Sequence, residues 1–133
     1  MALDINLMGM GVSSHLAART ANGGTGPVNI TAGASSGAAT KITGTQFVTY
    51  ISGPSGGGWV SMPAVGGSDN AATIADDFVM HNATASPVTV SIPTGVTVNI
   101  GSVSVTGQFT IPTIQTVTIW VVNTTQWFGL RSA

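Results

Sequence analysis

The stretch Pro87-Val88-Thr89-Val90-Ser91-Ile92-Pro93 decides the fold class. Val88, Val90 and Ile92 fall on one side of an extended chain, Thr89 and Ser91 on the other. That is the period-two signature of a strand with one buried face. Val96-Thr97-Val98-Asn99-Ile100, Val103-Ser104-Val105 and Phe109-Thr110-Ile111 repeat it. Thr116-Val117-Thr118-Ile119-Trp120-Val121-Val122 begins by alternating and then turns apolar at successive positions, which predicts a strand covered on both faces. Upstream, strands are predicted at 28–31, 45–52, 58–62 and 77–82. Turn signals at Gly53-Pro54, Gly66-Gly67-Ser68, Pro93-Thr94-Gly95 and Gly101-Ser102 separate the strands. Pro87, Pro93 and Pro112 stand at strand ends, where a missing N–H is tolerated.

No segment carries a sustained helical period. Valine, isoleucine and threonine dominate, and their branched side chains suit a pleated surface. About eight or nine short strands at this spacing predict an all-β fold, an antiparallel β-sandwich of jelly-roll-like form, with a small barrel as a variant. No strict repeat of 20–50 residues is visible, which disfavours a solenoid. Residues 1–27 differ in texture. They hold Met1, Met8 and Met10 and end in Asn22-Gly23-Gly24-Thr25-Gly26-Pro27, a cluster that terminates any short helix around 14–20. The predicted organisation is an extended N-terminal arm over 1–27 and a β-sandwich domain over 28–133. The 133 residues suit one compact domain.

Composition narrows the function. Charged residues make up 5% of the chain, against about 25% in an ordinary globular protein. Hydrophobic residues make up 43% and the net charge is −1, the opposite of a disordered composition. Arg19, Lys41 and Arg131 are all the fixed cations, too few to neutralise a run of phosphates or to form a polybasic membrane patch. No nucleic acid and no membrane is therefore expected as a partner. No apolar stretch approaches the ~18 residues of a membrane helix. An outer-membrane barrel would need strands of about 9–11 residues and aromatic girdles. Without cysteine there is neither a disulfide framework nor thiolate chemistry. The opening MALDINLMGMGVSSHLAART has no basic start, and Asp4 and Asn6 interrupt its apolar run, so an export signal is not expected.

Motifs with chemical potential resolve mostly into loops and strands. Gly33-Ala34-Ser35-Ser36-Gly37 and Gly53-Pro54-Ser55-Gly56-Gly57 match the serine-hydrolase elbow, but that elbow needs a strand-to-helix turn, and neither is followed by a helical pattern. His81 lies near Asp76 and Asp77. On an alternating strand Asp77 and His81 share a face about 13 Å apart, too far to share a metal. His15 has no acidic neighbour closer than Asp4. Asp69, Asp76 and Asp77 lack the spacing of a calcium loop. Lys41 lacks the glycine frame of a phosphate-binding loop. The sequons at Asn29, Asn82 and Asn123 read as a by-product of threonine richness. No constellation supplies nucleophile, base and oxyanion donors together, so no enzyme, metal or cofactor is expected. Trp59, Trp120, Trp127 and Phe128 are predicted to fill the core or a subunit contact rather than to stack on sugars.

So few charges leave threonine, serine, asparagine and glycine to form the polar exterior. Interface cores are poor in charge and rich in aromatics and methionine. The arm's Leu3, Ile5, Leu7, Met8, Met10 and Leu16 have no place inside a small sandwich and are candidate partner contacts across a neighbouring subunit. A homo-oligomer, dimer or trimer, is the expectation.

The segments IADDFVMHNATASPVTVSIPTGVTVNIGSVSVTGQFTIP and QTVTIWVVNTTQWFG, spanning Ile74 to Phe128, resemble β-rich virion proteins of tailed bacteriophages, especially small head-decoration (capsid cement) proteins. The shared pattern is a strand ending in Asn82, a Pro-Val-Thr-Val strand, a Pro-Thr-Gly turn, a Phe-Thr-Ile-Pro strand and a closing Thr-Gln-Trp-Phe. A looser match runs back through Ala39-Thr40-Lys41-Ile42-Thr43-Gly44 to Trp59-Val60-Ser61-Met62-Pro63, so that about three-quarters of the chain is covered. Asn22-Gly23-Gly24-Thr25-Gly26 resembles tail-fibre linkers. The resemblance implies a jelly-roll-like sandwich, assembled as dimers or trimers on the outside of a capsid, with the major capsid protein as partner and no catalytic residues. It also implies a virion protein made in the host cytoplasm, with the arm as a latch. A tail-fibre or head-fibre module for host glycan recognition is the alternative.

Overall fold

The computed structural model describes residues 28–44, 48–53, 58–67 and 71–132, and for Val48 the backbone alone. The predicted arm and the helix around 14–20 lie outside the described residues. Among the described residues eleven strands follow one another: β1 Val28–Thr31, β2 Thr40–Lys41, β3 Val48–Ser52, β4 Gly58–Ser61, β5 Asp77–Asn82, β6 Val88–Ser91, β7 Thr97–Ile100, β8 Val103–Thr106, β9 Gln108–Ile111, β10 Thr116–Val121 and β11 Gln126–Arg131. One 3-10 turn, Ser36–Ala38, interrupts them, and no α-helix occurs among the described residues. The strands form a seven-stranded sheet, β1-β3-β5-β10-β11-β7-β8, and a four-stranded sheet, β2-β4-β6-β9. Both contribute to one core, so the protein is an all-β sandwich.

The sheets are mixed, which corrects the antiparallel expectation. β1/β3, β3/β5, β2/β4, β4/β6 and β7/β11 pair in parallel; β5/β10, β10/β11, β6/β9 and β7/β8 pair antiparallel. The first six strands alternate between the two sheets, so the chain winds as a flattened parallel coil. A jelly-roll path does not describe this half. The coil is irregular: Val28 pairs with Thr49 and Thr40 with Val60, turns of 21 and 20 residues, whereas Val48 pairs with Val79 and Gly58 with Val88, turns of 31 and 30. Unequal turns leave no fixed period in the sequence, which is why a wound architecture was not expected.

Alternation places the core. In β5, Phe78, Met80 and Asn82 are buried between half-buried Asp77, Val79 and His81. The register sets Phe78 against Ile119 and Met80 against Val117 on β10, both fully buried. Across the sandwich, Val88 and Val90 of β6 face inward with Ile111 and Phe109 of β9. Full burial of such a side chain contributes roughly 1.5–3 kcal/mol. Gly129 of β11 is inward-facing: a Cβ there would stand 2.6 Å from Ile119 Cδ1, so only glycine lets the isoleucine fill that space. Gly33 pins the first turn of the coil. It exchanges backbone hydrogen bonds with Trp59 (2.8 and 2.9 Å), and a Cβ would meet the Ala38 carbonyl oxygen at 1.9 Å.

Candidate functional site

The outer face of the seven-stranded sheet is built by the residues that alternate with this core. Asp77 stands opposite Trp120, Trp120 opposite Phe128, and Phe128 opposite Asn99. One row over, Val79 stands opposite Thr118 and Thr118 opposite Leu130. Trp120, Phe128 and Leu130 remain 39, 46 and 61% exposed. Around them lie Thr97, Asn99, Ser104, Thr116 and Gln126, and among the described residues Asp77 is the only formal charge of this face. β10 was expected to be covered on both faces. It is not: Trp120 and Val122 are open to solvent, so its second apolar set makes a surface rather than a second core.

The four candidate aromatics separate. Trp127 is fully buried, and its indole N–H donates to the Asn123 carbonyl at 3.1 Å. Trp59 is half-buried on the outward side of β4, beside Thr89. Trp120 and Phe128 are the outward cross-strand pair. Leu130 and Tyr50, also outward, were not singled out from the sequence; the signal for Leu130 is the alternation of Gln126, Phe128 and Leu130 against Trp127 and Gly129. The arm candidates Leu3, Ile5, Leu7, Met8, Met10 and Leu16 lie outside the described residues.

Two depressions lie away from this face. One, of about 480 Å³, opens between the edge strands β8 and β9 and is lined by Ile100, Val103, Val105, Phe109, Leu130 and Arg131. Another, of about 400 Å³, is lined by Lys41, Ile42, Thr43, Ser61, Met62 and Pro63. Neither gathers groups suited to acid–base chemistry.

The remaining titratable and nucleophilic residues have structural settings. His81 stacks on Tyr50 (centroids 5.5 Å apart), and its Nδ1 lies 2.9 Å from Thr116 Oγ1. Asp77 and His81 are on one face of β5, as expected, separated by Val79. The buried Asp76 accepts a hydrogen bond from the Thr73 amide at 2.7 Å, closing a turn in which Ala75 takes φ 74°. Asp69 lies outside the described residues, and no group of three or more metal-ligating side chains occurs among those described. Gly33 to Gly37 runs into the single 3-10 turn instead of an α-helix. Asn82 is fully buried: its amide donates to Ser86 O and Ile111 O, both at 2.9 Å, and its Oδ1 accepts from the Thr84 amide and hydroxyl. A glycan has no access to it. Asn123 Oδ1 accepts from the amides of Thr125 and Gln126, shaping the β10–β11 turn. Among the described residues no helix is long and apolar enough to cross a membrane.

No protein family, curated protein or solved structure matches the chain.

Proposed function

We propose that this chain is a phage virion structural protein, a decoration or cement protein that binds the outside of a capsid and stabilises it, with the outer face of the seven-stranded sheet as its contact. The observation that carries the reading is the apolar set Trp120, Phe128 and Leu130, held on the sheet among polar side chains of which, among the described residues, Asp77 alone is charged. An apolar centre with a polar rim and few charges is the make-up of a protein interface. Exposed aromatics on a sheet lose little side-chain entropy on docking.

The mechanism is mass action. A protein that binds the assembled shell and not its dissociated subunits stabilises the shell by RT ln(1 + [L]/Kd), about 4 kcal/mol per site at a thousandfold excess over Kd. Repeated over a lattice, that holds neighbouring capsomers against the pressure of packed DNA. The protein in this reading is made in the host cytoplasm, forms dimers or trimers, and ends on the virion with the major capsid protein as partner.

Sedimentation with empty phage heads, assembled from a major capsid protein, tests the proposal. Wild type is expected to saturate the heads at a fixed ratio, and Trp120→Ser/Phe128→Ser to stay in the supernatant while keeping its circular dichroism. Equal binding by the variant overturns the assignment of the face, and no binding by wild type overturns the capsid. The same two exposed rings favour a second reading, glycan stacking by a fibre module. Trp127 is sealed in the core and cannot stack on a sugar, so Trp120→Ala is the variant to put on a glycan array.

A further inference from the structure

The seven-stranded sheet overhangs its four-stranded partner at one side. By register, Val103 and Val105 of β8 lie on the same face as Ile100 and Val98 of β7, the inward face. Val98 is fully buried, yet Val103 is 57% exposed and Val105 only half-buried. The reason is that the four-stranded sheet ends at β9, so among the described residues it has no strand opposite β8. The 480 Å³ groove is the space left there.

Among the described residues β9 also has no strand on its outer edge. Ile92 donates its amide to Gly107 O at 2.8 Å, which fixes the phase of the β6–β9 ladder. In an antiparallel pair, alternate residues exchange bonds, so the amide groups of Gln108 and Thr110 point away from β6, to the open side. Arg131 caps this edge: its Nη2 donates to Thr110 O at 3.0 Å. One further strand on β9 would extend the small sheet and cover the exposed valines.

We infer that the missing strand is supplied by residues 2–8 of a second copy of this chain. Within residues 1–27 the alternating stretch is Ala2-Leu3-Asp4-Ile5-Asn6-Leu7-Met8. Leu3, Ile5 and Leu7 would span about 13 Å on one face, a match to the apolar groove. Asp4, the only acid within residues 1–27, is opposite in charge to Arg131, whose guanidinium caps the β9 edge that the new strand takes. β1, where the described chain begins, is at the opposite edge of the seven-stranded sheet from β8, six strand spacings or about 29 Å away. The 20 residues between Leu7 and Val28 reach at most about 66 Å. An arm seated in its own groove has to double back across the whole sheet. An arm leaving one edge and entering the opposite edge of a neighbour makes a head-to-tail contact, which generates a ring where the rotation closes and a filament where it does not. This inference does not depend on the capsid reading, because a ring that never meets a capsid would carry the same exchange.

The chain has no cysteine, so single thiols can be introduced without background. Full-length Asn6→Cys and Gln108→Cys chains, mixed and treated with a bismaleimide reaching about 10 Å, two spacings between neighbouring strands, are expected to give a covalent heterodimer. Arg131→Glu is expected to weaken assembly about fivefold in light scattering, the scale of an exposed ion pair. Adding Asp4→Arg to it is expected to restore the wild-type mass. Cross-linking only within one chain of the double variant Asn6→Cys/Gln108→Cys overturns the second copy. No cross-link in either format, or a monomeric wild type, overturns the groove as the seat of the arm. No heads are present, so failure here is distinct from failure to decorate a capsid.

Discussion

The two halves of the chain use the same side-chain pattern to build different sheets. Residues 28–92 wind as a coil, each strand handing over to the opposite sheet and returning in parallel beside its predecessor. Residues 96–132 turn back at short loops, and all their pairings but β7/β11 are antiparallel. The halves meet where β5 pairs with β10 and β6 with β9. Alternation therefore specifies which face is buried and leaves strand direction to the connections. Antiparallel neighbours can be joined by a short turn, as β7/β8 and β10/β11 are, whereas parallel ones need a long crossover, supplied in the coil by a strand of the other sheet.

The largest expected effect is at the joint between the halves. Asn82 ends β5, bonds across to Ile111 of β9, and accepts the Ile114 amide on its own carbonyl at 2.8 Å. Asn82→Ala leaves the Thr84 amide and the Ile111 carbonyl without that partner inside the fold and is expected to cost about 3 kcal/mol in urea unfolding. Coil and hairpins should be lost in one transition; separate transitions would mean that the halves fold independently. Gly33→Ala comes next, at about 2 kcal/mol, because its new methyl forces the turn at Ala38 to move. Its damage is expected to stay in the coil: hydrogen exchange should accelerate at Gly33 and Trp59 while β10 and β11 keep their protection. The smallest effect has the opposite sign. Ile114 sits in the β9–β10 turn at φ 59°, a conformation costly for a branched side chain, and is exposed. Ile114→Gly is expected to raise stability by about 0.5–1 kcal/mol, the relief of strain less the entropy of glycine.

The sequence was most legible where alternation was clean. β5, β6 and β7–β10 stand within a residue or two of their predicted places, and Val88, Val90, Val98, Phe109 and Ile111 are inward as the pattern required. Two strands were hidden. β2 has only two residues, too few to show a period. β11 sets Trp127 and Gly129 inward and Phe128 and Leu130 outward, so its buried side includes a residue with no side chain and its open side looks apolar. Trp120-Val121-Val122 carried a true signal with two physical causes. An apolar outer face arises from a second layer of the same chain or from a surface meant for another molecule, and period two cannot separate them. The parallel coil was concealed by its unequal turns, and the groove beside β8 depends on sheet widths that only the assembled fold reveals.

Radical footprinting of the tryptophans and phenylalanines, free and bound to heads, tests the central claim most directly. Trp127 is expected to be protected in both states, and Trp120 and Phe128 to be oxidised when free and spared on the capsid. Equal oxidation of Trp120 and Phe128 in the two states would contradict a docked outer face.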